Sequence, residues 1–405
     1  MTRVLLAWEM GANLGHIDRL RSLAVALRGQ GHEPFFVVRD LARVHGRLVR
    51  EGFQVGQAPV WLPRLANPPR LGNYSAVLAS AGWLDAEGLA GLVTAWRSWF
   101  RLLQPGLIVC DHAPTALLAA RGQSSPVWCV GSSFEIPPTG GDSFPPFPGA
   151  NAADCPGFDA QLLASAQAAL RLLGDAPLGR LPDLFAGARR VLTALPALAH
   201  YAGYGDEVHW AGPSFVADVG ADAVWPEGPG APVLAYLDAA YPGLDAVLGA
   251  LKAAGCRVLL HAKGLSPAAV ARHEGAGLRF SPTPLRMDAA LKRAALVVSH
   301  GGQGTVAATA LAGLPHLLLP QHAEQAMAAR RVAEAGLGLA LHAGPGPDVT
   351  TLLRRLLQER RFRDAAQGFA QAHPHVQPQR TAEAVAALLT RELGTAPAPV
   401  GDAHP

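Results

Sequence analysis

Cysteine is scarce in this chain. The four present, Cys110, Cys129, Cys155 and Cys256, form neither a Cys-x-x-Cys pair nor a Cys/His metal spacing. That pattern argues against a disulfide-stapled secreted framework and a structural zinc site, and a reduced, cytoplasmic chain is expected. Charge is sparse as well: 16% of residues are charged, the formal net charge is +3, and no lysine/arginine block occurs. Nucleic-acid binding needs clustered basic residues, so it starts from a low prior. No run approaches the roughly 18–20 uninterrupted apolar residues of a membrane-spanning helix, although peripheral membrane contact stays open. The opening "MTRVLLAWEM" is cut short by Glu9 and lacks a small-residue cleavage site, so it reads as a first strand, not a signal peptide.

Hydrophobic residues make up 50% of the 405 positions, the composition of a compact globule long enough for two cores. Two periodicities alternate along it. "RVLLAW" is a short apolar strand; Ile17, Leu20, Leu23, Ala24 and Leu27 then recur at helical spacing; Gly29 and Gly31 stop the helix and "PFFVV" resumes as a strand. Strand, helix, strand in this order is a βαβ unit and implies a parallel sheet. "GLIVCD" and "PVWCVG" are further strands, separated by a helical "PTALLAA". The proline- and glycine-rich run from Phe134 to Pro156 predicts a long surface loop, with helix returning from Phe158.

A second composition shift, Gly212 to Pro232, is the best linker. Beyond it "PVLAYL", "RVLLHA", "AALVVS" and "HLLLP" read as strands interleaved with helices. The expected architecture is α/β, two doubly wound Rossmann-like domains facing across a cleft, with ligands at the carboxyl ends of the strands. The expected boundaries are residues 1–212 for the first domain, 213–232 for the linker and 233–376 for the second domain. A C-terminal helix over 377–394 would pack back on the first domain, and 395–405 would be a flexible tail.

Chemistry concentrates in "SHGGQGTVAATALAGLP", Ser299 to Pro315. The stretch joins the end of a strand to the start of a helix, where unpaired N–H groups and the helix dipole favour an anion. Gly301, Gly302 and Gly304 let a phosphate approach the backbone; Thr305 adds a hydroxyl, and His300 can donate to a phosphate oxygen. A glycine-rich turn with only conformational duties is the competing reading, and neither G-x-G-x-x-G nor the Walker pattern is present. After the next strand, Glu324 and Gln325 offer acceptors and donors suited to neighbouring sugar hydroxyls, or they decorate a helix start.

His300 to Thr305, "ALAGLP", "LLLP", Glu324–Gln325 and "AGLGLAL" together resemble the donor-binding half of the family 1 glycosyltransferases, which include macrolide, glycopeptide, flavonoid and glucuronosyl transferases. The resemblance implies the GT-B architecture, with an N-terminal acceptor-binding domain and a C-terminal domain for a nucleoside-diphosphate sugar. It implies that His300, Gly302, Gln303, Gly304 and Thr305, with Gly301, line the diphosphate, and that Glu324 and Gln325 meet the sugar. Phe280, Thr283 and Leu285 are candidates for the nucleoside, in a stretch lacking the Pro-Gln pair that relatives often carry. Where relatives leave the first strand of this domain through small residues, this chain has Asp238 in "LAYLDAAYPG", which bears on the donor's pose.

In the N-terminal half, "WEMGANLGHIDRL" resembles the family's first loop. His16 is then the expected general base toward an acceptor hydroxyl, and Asp111, ending the strand "GLIVCD", its expected partner. Asp18 competes for that partnership, His112 is a weaker base candidate, and a helix-capping role for His16 is the alternative. No Asp-x-Asp pair, with which enzymes of another fold hold a metal, occurs, so metal-independent catalysis without cofactor is expected, the nucleotide sugar being a co-substrate; the family resemblance implies inversion at the anomeric carbon. Trp83, Trp96, Trp99 and Phe134 would line an apolar acceptor pocket or belong to the core. The partners expected are therefore a UDP- or dTDP-sugar and a hydrophobic small-molecule or lipid acceptor, with hexosyl transfer as the reaction. An epimerase or hydrolase on the same fold, or a non-catalytic nucleotide-sugar binder, remain open alternatives.

Overall fold

The computed structural model describes residues 1–11, 15–63, 69–215, 220–275, 277–342 and 346–393. The expected tail at 395–405, part of the linker (216–219) and three residues of the first loop (12–14) lie outside them. The chain divides into two compact units. The first comprises 1–193, 201–211 and 380–405; the second comprises 194–200 and 212–379.

In the first unit, seven parallel strands run in the order β3-β2-β1-β4-β5-β6-β7. They are β1 (Arg3–Trp8), β2 (Glu33–Val38), β3 (Gln54–Gln57), β4 (Leu107–Cys110), β5 (Val127–Gly131), β6 (Arg189–Leu192) and β7 (Val208–Trp210). Strand period decides which face each residue joins. Val4, Leu6 and Trp8 bury into one hydrophobic cluster with the helix Gly15–Gly29, while Leu5 and Ala7 enter the other with Trp83, Trp96 and Phe100. Full burial on both faces explains why β1 reads as a continuous apolar run rather than an alternating one. The helix Thr381–Leu393 lies on this unit, with Val385, Ala386 and Leu389 in the cluster of the Gly15–Gly29 helix.

The second unit has six parallel strands in the order β10-β9-β8-β11-β12-β13. They are β8 (Pro232–Asp238), β9 (Arg257–Lys263), β10 (Leu278–Phe280), β11 (Leu296–Ser299), β12 (His316–Leu318) and β13 (Gly338–Ala340). Leu296 and Val298 face one cluster and Val297 the other, the same alternation as in β1. Both sheets are doubly wound, as expected of Rossmann-like domains. Strand order reverses between β1 and β4 in the first unit, and between β8 and β11 in the second. Chains leaving neighbouring strands there diverge to opposite faces and leave a crevice at the carboxyl edge.

The proline- and glycine-rich run after β5 departs from expectation at its start, while most of 139–154 is exposed or half-buried as expected of a surface loop. Phe134 to Pro138 are buried rather than on the surface. Glu135 and Ile136 are 4% and 2% exposed, because the first is held by ion pairs and the second packs in the core. Trp83 and Trp96 are also core residues, each fully buried; Trp99 is partly buried beside Phe35, and Phe134 packs on Tyr74, His112 and Phe147.

Candidate active site

At the reversal point of the first unit, β1 leads toward the Gly15–Gly29 helix and β4 ends at Asp111. His16, in the first turn of that helix, places Nδ1 2.8 Å from Asp111 Oδ1. Since a carboxylate can only accept, Nδ1 carries the proton and Nε2 is left as the basic nitrogen. The backbone fixes both partners: the Asp111 amide donates to the Ala7 carbonyl at 2.9 Å, extending the β1–β4 ladder by one residue. Asp18, the competing partner, pairs instead with Arg47 across the surface.

Two residues that the sequence did not single out complete the cluster. Arg19, one helical turn after His16, places a single guanidinium nitrogen, Nη1, 3.0 and 2.9 Å from the two Asp111 oxygens and donates to both. Glu135 lies 3.7 Å from His16 Nδ1 and 3.8 Å from Arg19, and accepts from the Ser132 hydroxyl. Two carboxylates thus face one guanidinium, and charge balances only when His16 binds a second proton. Burial disfavours an imidazolium here, but the charge and hydrogen bond of Asp111, helped by Glu135, prevail and hold His16 above its ordinary value. Burial likewise pushes Glu135 upward, but Arg19, His16 and His112 outweigh it and hold its carboxyl below the usual range. His16, His112 and Glu135 bring one potential ligand atom each within 4.8 Å of one another. Arg19 already supplies the positive charge that such a set would seek from a metal, so the geometry is that of an ion-pair cluster.

His112 follows Asp111 with φ at +48°, a left-handed conformation unusual for a residue with a side chain. Its ring centroid is 5.6 Å from that of His16, and burial, with the neighbouring His16, pushes its pKa down to about 3. Behind this layer Glu9 accepts from Trp96 Nε1 at 2.8 Å and from the Thr115 and Ala116 amides at the start of the helix Pro114–Ala119. Burial raises Glu9 to about 7 despite those bonds.

The second unit builds its reversal point from backbone. Gly302 is the N-cap of the helix Gln303–Leu311, and no side chain caps it. Gly301 has φ at +92°, and a Cβ there would stand 3.1 Å from Leu318 and 3.3 Å from the Gln325 carbonyl; its amide donates to Ser299 Oγ. Its glycine is therefore required by the turn itself. A Cβ on Gly302 would meet nothing within 4 Å, and one on Gly304 only Phe215 at 3.8 Å. Gln303 has both side-chain polar atoms buried without a partner among the described residues.

His300 is used differently from the sequence expectation. Its Nδ1 donates to the Leu319 carbonyl at 2.8 Å and its Nε2 accepts from the Asp238 amide at 2.9 Å. Both nitrogens are occupied, so the neutral ring ties the β8 exit to the loop and has no proton left for a phosphate. Burial lowers its pKa, consistent with the neutral form. Asp238, where small residues were expected, turns its carboxylate onto the Ala240 amide and closes its own turn.

Glu324 and Gln325 open the helix Ala323–Glu334, and Gln325 Oε1 accepts from the Gln321 amide. Among the nucleoside candidates, Thr283 is exposed, Phe280 is partly buried at the end of β10, and Leu285 is 2% exposed within the core.

Residues 253–390 match the family model of the erythromycin biosynthesis protein CIII-like C-terminal domain. That match covers about a third of the chain, all of it in the C-terminal part, and the chain is similar there to GT-B glycosyltransferases. Among curated proteins it is 33% identical to glycosyltransferase GtfC of Amycolatopsis orientalis over 118 residues, 28% of each chain. It is 52% identical to the vancomycin aglycone glucosyltransferase of the same organism over 60 residues, 15% of this chain and 14% of that one. These matches span little more than a quarter of their length at most. The GT-B fold extends further than sequence identity does. The kitacinnamycin glycotransferase superposes with a TM-score of 0.69 at 16% identity, covering 97% of this chain and 99% of that one. VinC, solved with dTDP, gives 0.66 at 19%, with 97% and 100% covered.

Proposed function

We propose that this GT-B protein transfers a hexose-type sugar from a UDP- or dTDP-linked donor to a hydroxyl of a hydrophobic small-molecule or lipid acceptor, with inversion. The observation that carries the reading is the His16–Asp111 bond, which fixes the tautomer of the neutral ring so that Nε2 is its basic nitrogen. The acceptor hydroxyl gives its proton to Nε2 as its oxygen bonds to the anomeric carbon. The bond from that carbon to the diphosphate oxygen breaks, and the nucleoside diphosphate departs with the electron pair. One displacement inverts the centre. Asp111 and Glu135 stabilise the imidazolium that forms.

The second unit holds the donor. The uncapped amides of Gln303, Gly304 and Thr305 and the helix dipole stabilise charge growing on the diphosphate, while Glu324 and Gln325 orient the sugar. Asp-x-Asp is absent from the sequence, and leaving-group stabilisation is assigned to these N–H groups rather than to a metal. The dTDP bound to VinC favours a thymidine donor.

The experiment is a donor and acceptor library read by mass spectrometry, with purified wild-type protein and His16→Ala. Transfer by the wild type and loss in the variant support the reading. Donor turnover that ignores the acceptor favours an epimerase or hydrolase instead.

A further inference from the structure

Gly11 has φ at +83°, and a Cβ built on it would lie 2.5 Å from His16 Nε2 and 3.4 Å from His112 Nδ1. The room left by that missing side chain therefore opens onto two imidazole nitrogens at once. The His112 backbone is held in its left-handed conformation partly by its carbonyl, which accepts from the Met10 amide at 3.0 Å. A non-glycine residue fixed at positive φ, beside the base and tied to the turn before Gly11, is the kind of local strain found where a side chain must be aimed.

The proton on this ring can be assigned. His112 Nε2 is buried with no hydrogen-bond partner among the described residues, and the residue is 7% exposed. A buried N–H without an acceptor is rarer than a buried acceptor without a donor. The proton therefore sits on Nδ1, the nitrogen facing the Gly11 space. In the neutral form of His16, Nε2 on the other side is bare, because the ring's one proton is on Nδ1 and committed to Asp111. One acceptor and one donor converge, the complement of a hydroxyl group, which donates once and accepts through its lone pairs.

We infer that His112 is the positioning residue for the acceptor hydroxyl: the hydroxyl donates to His16 Nε2 and accepts from His112 Nδ1–H in the space beside Gly11. The inference rests on the proposed transferase reading and deepens it. Two contacts fix both the position of the oxygen and the direction of its proton, leaving one lone pair for the anomeric carbon. His112 does not take the proton. It sets which hydroxyl of a polyhydroxylated acceptor can react.

Asparagine carries an amide nitrogen near the position of imidazole Nδ1 and tolerates left-handed backbone. With dTDP-glucose or UDP-glucose as donor and 4-methylumbelliferone as the hydroxyl probe, His112→Leu should lower kcat/KM for the acceptor by about tenfold to thirtyfold. The loss should fall mainly on acceptor KM, with dTDP binding unchanged, and His112→Asn should recover most of it. Nitrogen-15 histidine NMR of the wild type should show a neutral Nδ1–H tautomer for this ring.

Equal activity of wild type and His112→Leu, failure of asparagine to rescue, or an Nε2–H tautomer would overturn the inference. Absence of transfer by the wild type with either donor removes the transferase reading itself. The NMR result decides the ring's state independently of activity, so the two failures are distinguishable.

Discussion

The two sheets present the same topological edge and furnish it in opposite ways. After β1 and β4 the first unit places charged side chains: His16, Arg19, Asp111 and Glu135, all nearly buried and joined by direct contacts. After β8 and β11 the second unit ties His300 and Asp238 into backbone hydrogen bonds and leaves room at Gly302 and Gly304, beside the uncapped start of the next helix. A buried ionic cluster is strongly coupled, so removing one member changes the protonation of the others. A backbone site has little to titrate and is sensitive to bulk instead. The lesson is that similar βα edges differ chemically by whether the chain supplies titratable groups or room; in the proposed reading the first serves proton transfer and the second anion binding.

Substitutions can sharpen or break this contrast. The largest effect belongs to the proposed base: His16→Ala should reduce turnover by roughly a thousandfold while nucleotide affinity, measured by calorimetry, stays near wild type. A parallel loss of dTDP and UDP binding would deny the division of labour.

Next comes the charge buried behind the cluster. Burial raises Glu9 to about 7, above its unfolded value of 4.5. The folded state therefore binds the extra proton between those values, and the contribution of Glu9 to stability is fully present below the unfolded value and is lost as pH rises through 7. The span corresponds to about 3 kcal/mol. Urea unfolding from pH 5 to pH 8 should show the decline, and Glu9→Gln should flatten it; an unchanged slope in the variant would assign the dependence elsewhere.

The glycines separate fold from binding. Gly302→Ala meets no neighbour, so its melting temperature should stay at wild type while affinity for the nucleoside diphosphate falls about tenfold. Gly301→Ala should instead cost stability by roughly 1 kcal/mol or more, because its φ is positive. Equal nucleotide binding by Gly302→Ala and wild type would place the phosphate away from this loop.

The finest effect is on pH dependence. As the proposed base His16 would act only when its second nitrogen is bare, and its raised pKa should place the acid limb of kcat/KM above that of an ordinary histidine. Asp111, Glu135, Arg19 and His112 all face that ring. Glu135→Gln removes one negative charge, so less imidazolium persists and the limb should move to lower pH. A shift upward, or none, would contradict the assigned coupling.

Much of this was legible in the residues. The core strands declared themselves as apolar runs because both sheet faces are covered, and His16 and Asp111 stood at strand-to-helix junctions. β3 was harder to read: Gln54–Gln57 carries two glutamines and a glycine, and its strand character comes from pairing with β2. Glu135 was missed because proline and glycine announce irregular backbone but say nothing of burial. Arg19 was missed because an arginine in an exposed helical turn and one clamping a carboxylate look alike in sequence; its spacing of three from His16 was the available signal. The occupied nitrogens of His300 depend on two carbonyl and amide positions 19 and 62 residues away, which no local pattern reports.

The most direct test is sugar transfer from dTDP- and UDP-sugars across a panel of hydroxyl acceptors, followed by mass spectrometry in wild type and His16→Ala side by side. A product heavier by one hexosyl group, formed by the wild type and missing from the variant, is the expected result. Equal product in both, or none with any donor while the folded protein binds neither nucleotide, would contradict the account.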